Sequence, residues 1–293
     1  MNDPRPPVGS AIRAALLTGE AQAKAFAARK VARDWRLGRL AFAFPEPMPD
    51  RPNWPAGLLT LQPGRMPKRG KFGSERGRIA LWHALAHIEF VAIDLALDMA
   101  GRFGPERGKP FVSDFLSVAA DEAMHFALLA RKLVGLGSRY GALPVHDGLW
   151  EASKETAQDV AARLAVVPMV LEARGLDVTP ATLARVKAAG DENGARILQR
   201  ILDDEIRHVA FGVQHFDEVS AERDQSPPEL WRKLVQMHFR GRLKPPFNDS
   251  ARATAGLSRP YYDGVASLTF SALPTNSSDG GGFQPNDEKA DRR

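Results

Sequence analysis

From about residue 75 onward, long stretches in which apolar side chains recur every three or four positions alternate with short runs rich in Gly, Pro and Asp. That period is helical, and it predicts four long helices over about 75–100, 111–136, 151–174 and 191–218. Gly101, Gly135 and Gly175 stand near three expected C-terminal ends. Asp191 and Glu192 open the fourth helix, where negative charge meets the positive end of the backbone dipole. Thr179-Pro180 reads as the N-cap and first position of a short helix over 180–189, and PPELWRKLVQMHF (227–239) starts another. Before residue 75, AIRAALL and AQAKAFAARKVARDWRLGRL predict one or two amphipathic helices, followed by a Pro-rich connector over 44–68 that reads as a lead-in rather than a domain core. No run alternates with the period of a strand, so the predicted class is all-α. The expected organisation is an N-terminal helical and Pro-rich extension (1–74), a four-helix bundle (75–220), a C-terminal helical extension (221–273) and a disordered tail (274–293).

Two of the apolar helix faces are interrupted in the same way. SVAADEAMHFALL (117–129) places Asp121, Glu122 and His125 among Val, Ala, Phe and Leu, and RILDDEIRHVAFG (200–212) sets Asp204, Glu205 and His208 at the same spacing. Each copy follows a Glu in another apolar run: 33 residues separate Glu89 from Glu122, and 33 separate Glu172 from Glu205. A lone Glu-x-x-His arises by chance on exposed helices, and a lone Glu89 or Glu172 is ordinarily a surface or capping residue. The joint spacing carries the inference, because one Glu from each of two helices with Glu-x-x-His from each of two others is the donor set of a carboxylate-bridged di-iron site.

The residue types have a physical reason. Positions i and i+3 share a helix face, so Glu122 with His125, and Glu205 with His208, each present an oxygen and a nitrogen to a common point. Four carboxylates buried together without cations would each cost several kcal/mol, and most would take up protons instead. Two Fe²⁺ ions balance four glutamates and two neutral imidazoles. Oxidation to Fe³⁺ leaves positive charge that anions derived from O₂ or water can cancel. Asp121 and Asp204 fit a supporting role in which each fixes the imidazole of the facing helix: Asp121 with His208, Asp204 with His125.

Other candidates fall outside this set. His83, His87 and Asp94 form a stripe, but His87 is two residues from Glu89, about 200° around the helix, and is expected to pack against the N-terminal segment. His215 is on the face of His208 but about two turns away, as a core or supporting residue. Pro168, one turn before Glu172, either bends a helix beside the site or starts a new one.

Composition sets outer limits. The chain is 44% hydrophobic and 26% charged, with no apolar run near the roughly 20 residues of a membrane span. MNDPRPPVGSAIRAALL lacks the pattern of a secretory signal, so a cytoplasmic location is expected. The absence of Cys excludes disulfides, Cys-ligated zinc, iron–sulfur clusters and a cysteine nucleophile. Residues 1–80 hold 15 Lys/Arg against 6 Asp/Glu, a net charge of +9, while the remainder is net −4. The densest basic part, RMPKRGKFGSERGR (65–78), suits a solvated loop or a contact to phosphate.

The site-bearing segments also carry a resemblance. HALAHIEFVAIDLALD, DEAMHF, LEARGLDVTP and DEIRHVAFG resemble the ferritin-like di-iron superfamily, and more narrowly a bacterial family of ferritin-like proteins of unknown function, over residues 75–245. The resemblance implies a four-helix bundle in which Glu89, Glu122, His125, Glu172, Glu205 and His208 hold two Fe ions, with Mn/Fe and Mn/Mn as alternatives; it implies no substrate. Storage ferritins generally lack a second Glu-x-x-His. The ribonucleotide reductase small subunit carries a radical Tyr where Leu129 stands here, and multicomponent monooxygenases carry a Thr where Leu176 stands. A ferritin-like tRNA hydroxylase is a fair analogy at the level of fold and charge, being a single chain that acts on a polyanion.

The expected function is activation of O₂ or peroxide to oxidise or hydroxylate a small-molecule or anionic organic substrate, with an electron donor as partner and no membrane. Two alternatives stay open: a non-catalytic iron-handling or peroxide-scavenging protein, and an RNA-associated protein with a metal-stabilised core.

Overall fold

The computed structural model describes residues 3–67 and 73–264, and within them the chain is all-helical, without strands beyond two isolated bridges. α1 (Val8–Leu16) and α2 (Ala21–Arg36) lead through the Pro-rich connector to α3 (Glu75–Gly135). Next come α4 (Gly148–Glu155), α5 (Val160–Val166), a π-helical turn (Val167–Glu172) and α6 (Ala173–Ala188). α7 (Glu192–Glu222), α8 (Pro227–His238), α9 (Asp249–Thr254) and α10 (Arg259–Tyr262) complete the order. The tail expected to be disordered, and Lys68, Arg69 and Lys71 of the basic run, lie outside the described residues.

α3 is two helices joined at Gly108, whose φ of 87° and ψ of −177° suit only a residue without a Cβ; Pro105 and Pro110 flank the break. The second half folds back along the first, bringing the Phe126 ring 5.5 Å from Phe90. The first half outruns its predicted end because Gly101 is a packing residue. A Cβ there would come within 2.4 Å of Met48 Sδ and 3.0 Å of Ile12. One 18-residue window of α3 is apolar enough to cross a membrane, with mean hydropathy 1.5, but it is 67% buried within the protein, as a core helix is.

The predicted 151–174 helix is interrupted between α4 and α5. Asp159 caps α5 through Ala161 N at 2.8 Å, and buried Arg163 stitches the break by donating to Ser153 O and Thr156 Oγ1. Thr179-Pro180 starts no helix, because Pro180 lies inside α6. The carbonyl of Leu176, which a Pro at 180 cannot satisfy, accepts instead from Asn248 Nδ2 at 3.1 Å. Gly175, likewise, is inside α6 rather than at an end.

The helices that precede the Pro-rich connector pack into the common core. Val8, Ile12, Leu16 and Ala28 are fully buried in the common core, and Lys24 is buried with its Nζ 2.6 Å from Asp94 and 2.7 Å from Asn53 O. His87 bonds the 140–146 loop, through Tyr140 Oη at 2.9 Å and His146 O at 3.0 Å, and His83 accepts from Gly141 N at 2.9 Å. The N-terminal segment reaches this stripe through Lys24, which pairs with Asp94, and through Trp54, whose ring sits edge-on to His87 and whose Nε1 donates to Asp94.

Candidate metal centre

Glu89 comes from the first half of α3, Glu122 and His125 from the second, and Glu205 and His208 from α7, all buried. The i, i+3 spacing points each His and its Glu to the same side, and the fold-back at Gly108 sets Glu89 against His125. Glu89, Glu122, His125 and Glu205 each bring a donor atom within 4.8 Å of the others.

The detail is paired. His125 Nδ1 is 3.3 Å from both Glu89 Oε2 and Glu122 Oε2. His208 Nδ1 is 2.9 Å from Glu122 Oε1 and 3.7 Å from Glu205 Oε2. Glu122 therefore turns one oxygen towards each imidazole. Glu122 Oε1, Glu205 Oε2 and His208 Nδ1 are nevertheless buried without a hydrogen bond, because the 2.9 Å approach lacks hydrogen-bond geometry. Donors about 2.1 Å from one ion at right angles stand about 3 Å apart, so these separations suit cations between the groups.

Glu172 is outside the tight group, less buried by surface area, but lines the same cavity as Glu89 and Glu205. It ends the π turn, where Ala173 N–H reaches back to Pro168 O, and an α-helical register would rotate it by about 100°. Pro168 thus lies inside the continuing helical run, and Gly212 of α7 makes room for it: a Cβ there would fall 2.4 Å from Pro168 Cβ.

Electrostatics follow from crowding. Burial first, and the charge of Glu122 second, push the Glu89 and Glu205 carboxyls up. Burial and Glu205 push Glu172 up to about 8. Burial also acts to raise Glu122, but the His125 and His208 imidazoles outweigh it and hold this carboxyl well below the usual range. Burial would lower both imidazoles; the surrounding carboxylates instead hold them high.

Behind the imidazoles, His125 Nε2 meets Asp204 Oδ2 at 3.0 Å and His208 Nε2 meets Asp121 Oδ2 at 3.4 Å, the cross-helix pairing expected from the sequence. Arg200 Nε donates to Asp204 at 2.6 Å and Arg207 to Asp121. Sequence reasoning missed these arginines, although Arg200 is four residues before Asp204, the spacing of a helical ion pair. His215 lies between Asp114 and Glu218 at 2.8 and 3.0 Å, away from the donor cluster.

On the glutamate side a cavity of about 850 Å³ reaches Glu89, Glu172 and Glu205. Its walls are mainly apolar, with Ile79, Leu95, Leu171, Leu198 and Ile201, and its exposed lining includes Pro67, Glu75 and Arg76 at the described ends of the basic run.

The family described as "Protein of unknown function (DUF455)" matches residues 17–263, and the chain belongs to it. An uncharacterized protein of Haemophilus influenzae is 39% identical over 230 residues, covering 76% of this chain and 80% of that protein. No solved structure matches.

Proposed function

We propose that this member of a family of unknown function is a ferritin-like dinuclear metal protein that uses O₂ or peroxide to oxidise an organic substrate. The observation that carries the reading is the convergence of three unsatisfied buried donors, Glu122 Oε1, Glu205 Oε2 and His208 Nδ1, beside a Glu122 that faces two imidazoles at once. Oxygen and imidazole donors without thiolates suit iron or manganese. Glu89, His125 and Glu122 Oε2 would hold one ion; Glu205, His208 and Glu122 Oε1 would hold the other, with Glu172 beside them.

When bound, a pair of iron ions supplies reversible electron uptake and a place for O₂ or peroxide to react. The protein's own groups prepare that place. With metal bound, Asp204 and Asp121, which face the Nε2 atoms of His125 and His208, would accept the Nε2–H protons and leave each Nδ1 lone pair for an ion. Arg200 and Arg207 offset the charge of these aspartates, so the four glutamates are left to balance the ions. The apolar cavity favours an apolar substrate portion and presents it to the Glu89, Glu172 and Glu205 side.

Anaerobic loading with Fe²⁺, then O₂ with panels of apolar metabolites, tests the reading. Oxygen uptake beyond the iron-dependent amount in the presence of particular compounds is the expected result. Uptake fixed by iron alone and indifferent to every compound would contradict it in favour of iron handling.

A further inference from the structure

Five of the fifteen Lys/Arg of residues 1–80 line a second face, which shares no lining residue with the apolar cavity. A groove of about 1200 Å³ runs between α2, the second half of α3 and α7, and its lining contains eight Arg or Lys side chains against one acid, Asp121. Asp3, Asp34 and Asp204 answer some of these cations from nearby, but Arg29 and Arg36 are exposed and make no ion pair among the described residues. Apolar side chains lie among the charges: Phe26 is 68% exposed on the groove, with Trp35 alongside. A cationic surface with exposed aromatic anchors has the composition of a protein docking site for an acidic partner.

The groove's position selects the partner. Arg200 and Arg207 line it, each bonds an aspartate, and each aspartate bonds the outer nitrogen of an imidazole whose inner nitrogen faces the glutamates. Two continuous hydrogen-bonded chains, Arg200–Asp204–His125 and Arg207–Asp121–His208, thus connect this surface to the centre. The apolar cavity opens instead on the glutamate side, so substrate and partner need not compete for one opening.

We propose that this groove docks a small acidic one-electron carrier protein, which reduces the metal pair through the two imidazole–aspartate chains. The inference rests on the redox reading above. Each encounter oxidises the carrier's reduced iron–sulfur or flavin group by one electron, and two encounters reduce a diferric pair to the diferrous state.

The test uses iron-loaded full-length protein, with metal content and oxygen uptake measured first, and purified acidic [2Fe–2S] ferredoxin, flavodoxin and a single-stranded RNA as probes. Wild type is compared with Arg29→Glu/Arg36→Glu, which lies away from the ligands. The expected result is saturable binding of at least one carrier, weakened about tenfold in the variant at low salt and much less at high salt. Anaerobic oxidation of that reduced carrier, followed by its visible spectrum, should slow in parallel, with iron content unchanged. Carrier binding or oxidation indifferent to the charge reversal, or RNA binding in place of carrier binding, would overturn the proposal. Failure to hold redox-active iron would overturn the reading beneath it, and the initial metal and oxygen measurements separate the two failures.

Discussion

Three carboxylates on the first half of α3 are buried, and they meet different surroundings. Asp94 and Asp98 have no exposed surface, yet Lys24 and Trp54 answer the first, while Arg163 and Arg102 answer the second. Burial pushes Asp94 up to about 6, with Lys24 opposing the shift. Glu89, five residues before Asp94 in the same helix, meets one imidazole nitrogen at 3.3 Å and otherwise more carboxylates. Burial is therefore not what distinguishes a structural acid from a candidate ligand. Asp94 and Asp98 have cationic partners within the chain, whereas the Glu89 cluster has more anionic and lone-pair donors than the chain has cations to satisfy them.

The largest expected effect comes from breaking a closed pair. Lys24→Ala leaves Asp94 buried without a cation, with only the neutral Trp54 indole donating to it, and should lower stability by about 3–5 kcal/mol, visible as a fall in Tm, with metal content per folded chain unchanged. Metal removal should act on the open cluster alone. At about a thousandfold excess over Kd, bound metal contributes about 4 kcal/mol, so a chelated sample should melt roughly 8–16 °C lower near pH 8.

The gap should narrow in acid. Glu89, Glu172 and Glu205 are raised above their unfolded values, as are His125 and His208. Each such group contributes stability that is present below its unfolded pKa and lost as pH rises through its folded pKa, which for Glu172 is about 8. Glu122 is lowered and has the opposite sign, but its contribution is lost only as pH falls below the ordinary carboxyl range. Without metal, stability should fall between about pH 5 and pH 8, while metal binding, which needs deprotonated ligands, strengthens over the same range. Equal melting of chelated and loaded protein at pH 8 would mean the carboxylates need no cation.

A smaller effect belongs to the supporting aspartates. Asp204→Asn should weaken metal binding about 10–100-fold, read by competition with a chromophoric chelator, because it loosens the orientation of His125. The smallest is Glu205→Ala in chelated protein: removing one crowded carboxylate should leave Tm within a few degrees of wild type or raise it, the reverse of Lys24→Ala.

The two clusters also differ in how legible they were. The open one announced itself through a repeated spacing, since the i, i+3 placement of Glu122 with His125 and of Glu205 with His208 is a local property of helices. The all-helical class followed from the same periodicity. The closed pairs did not show, because Lys24 in AQAKAFAARK reads as part of a solvated face until Asp94, 70 residues away, is placed against it. Gly101 and Thr179-Pro180 were misread for a related reason. The close approach of Met48 and the Asn248 amide on the Leu176 carbonyl are tertiary events that no local pattern encodes.

Metal stoichiometry tests the central claim most directly. Purified protein loaded anaerobically with Fe²⁺, desalted and measured by elemental analysis should hold two transition-metal ions per chain, and Glu122→Ala, which removes the carboxylate facing both imidazoles, should lose at least one while remaining folded. A single zinc per chain, unchanged in Glu122→Ala, would contradict the dinuclear account.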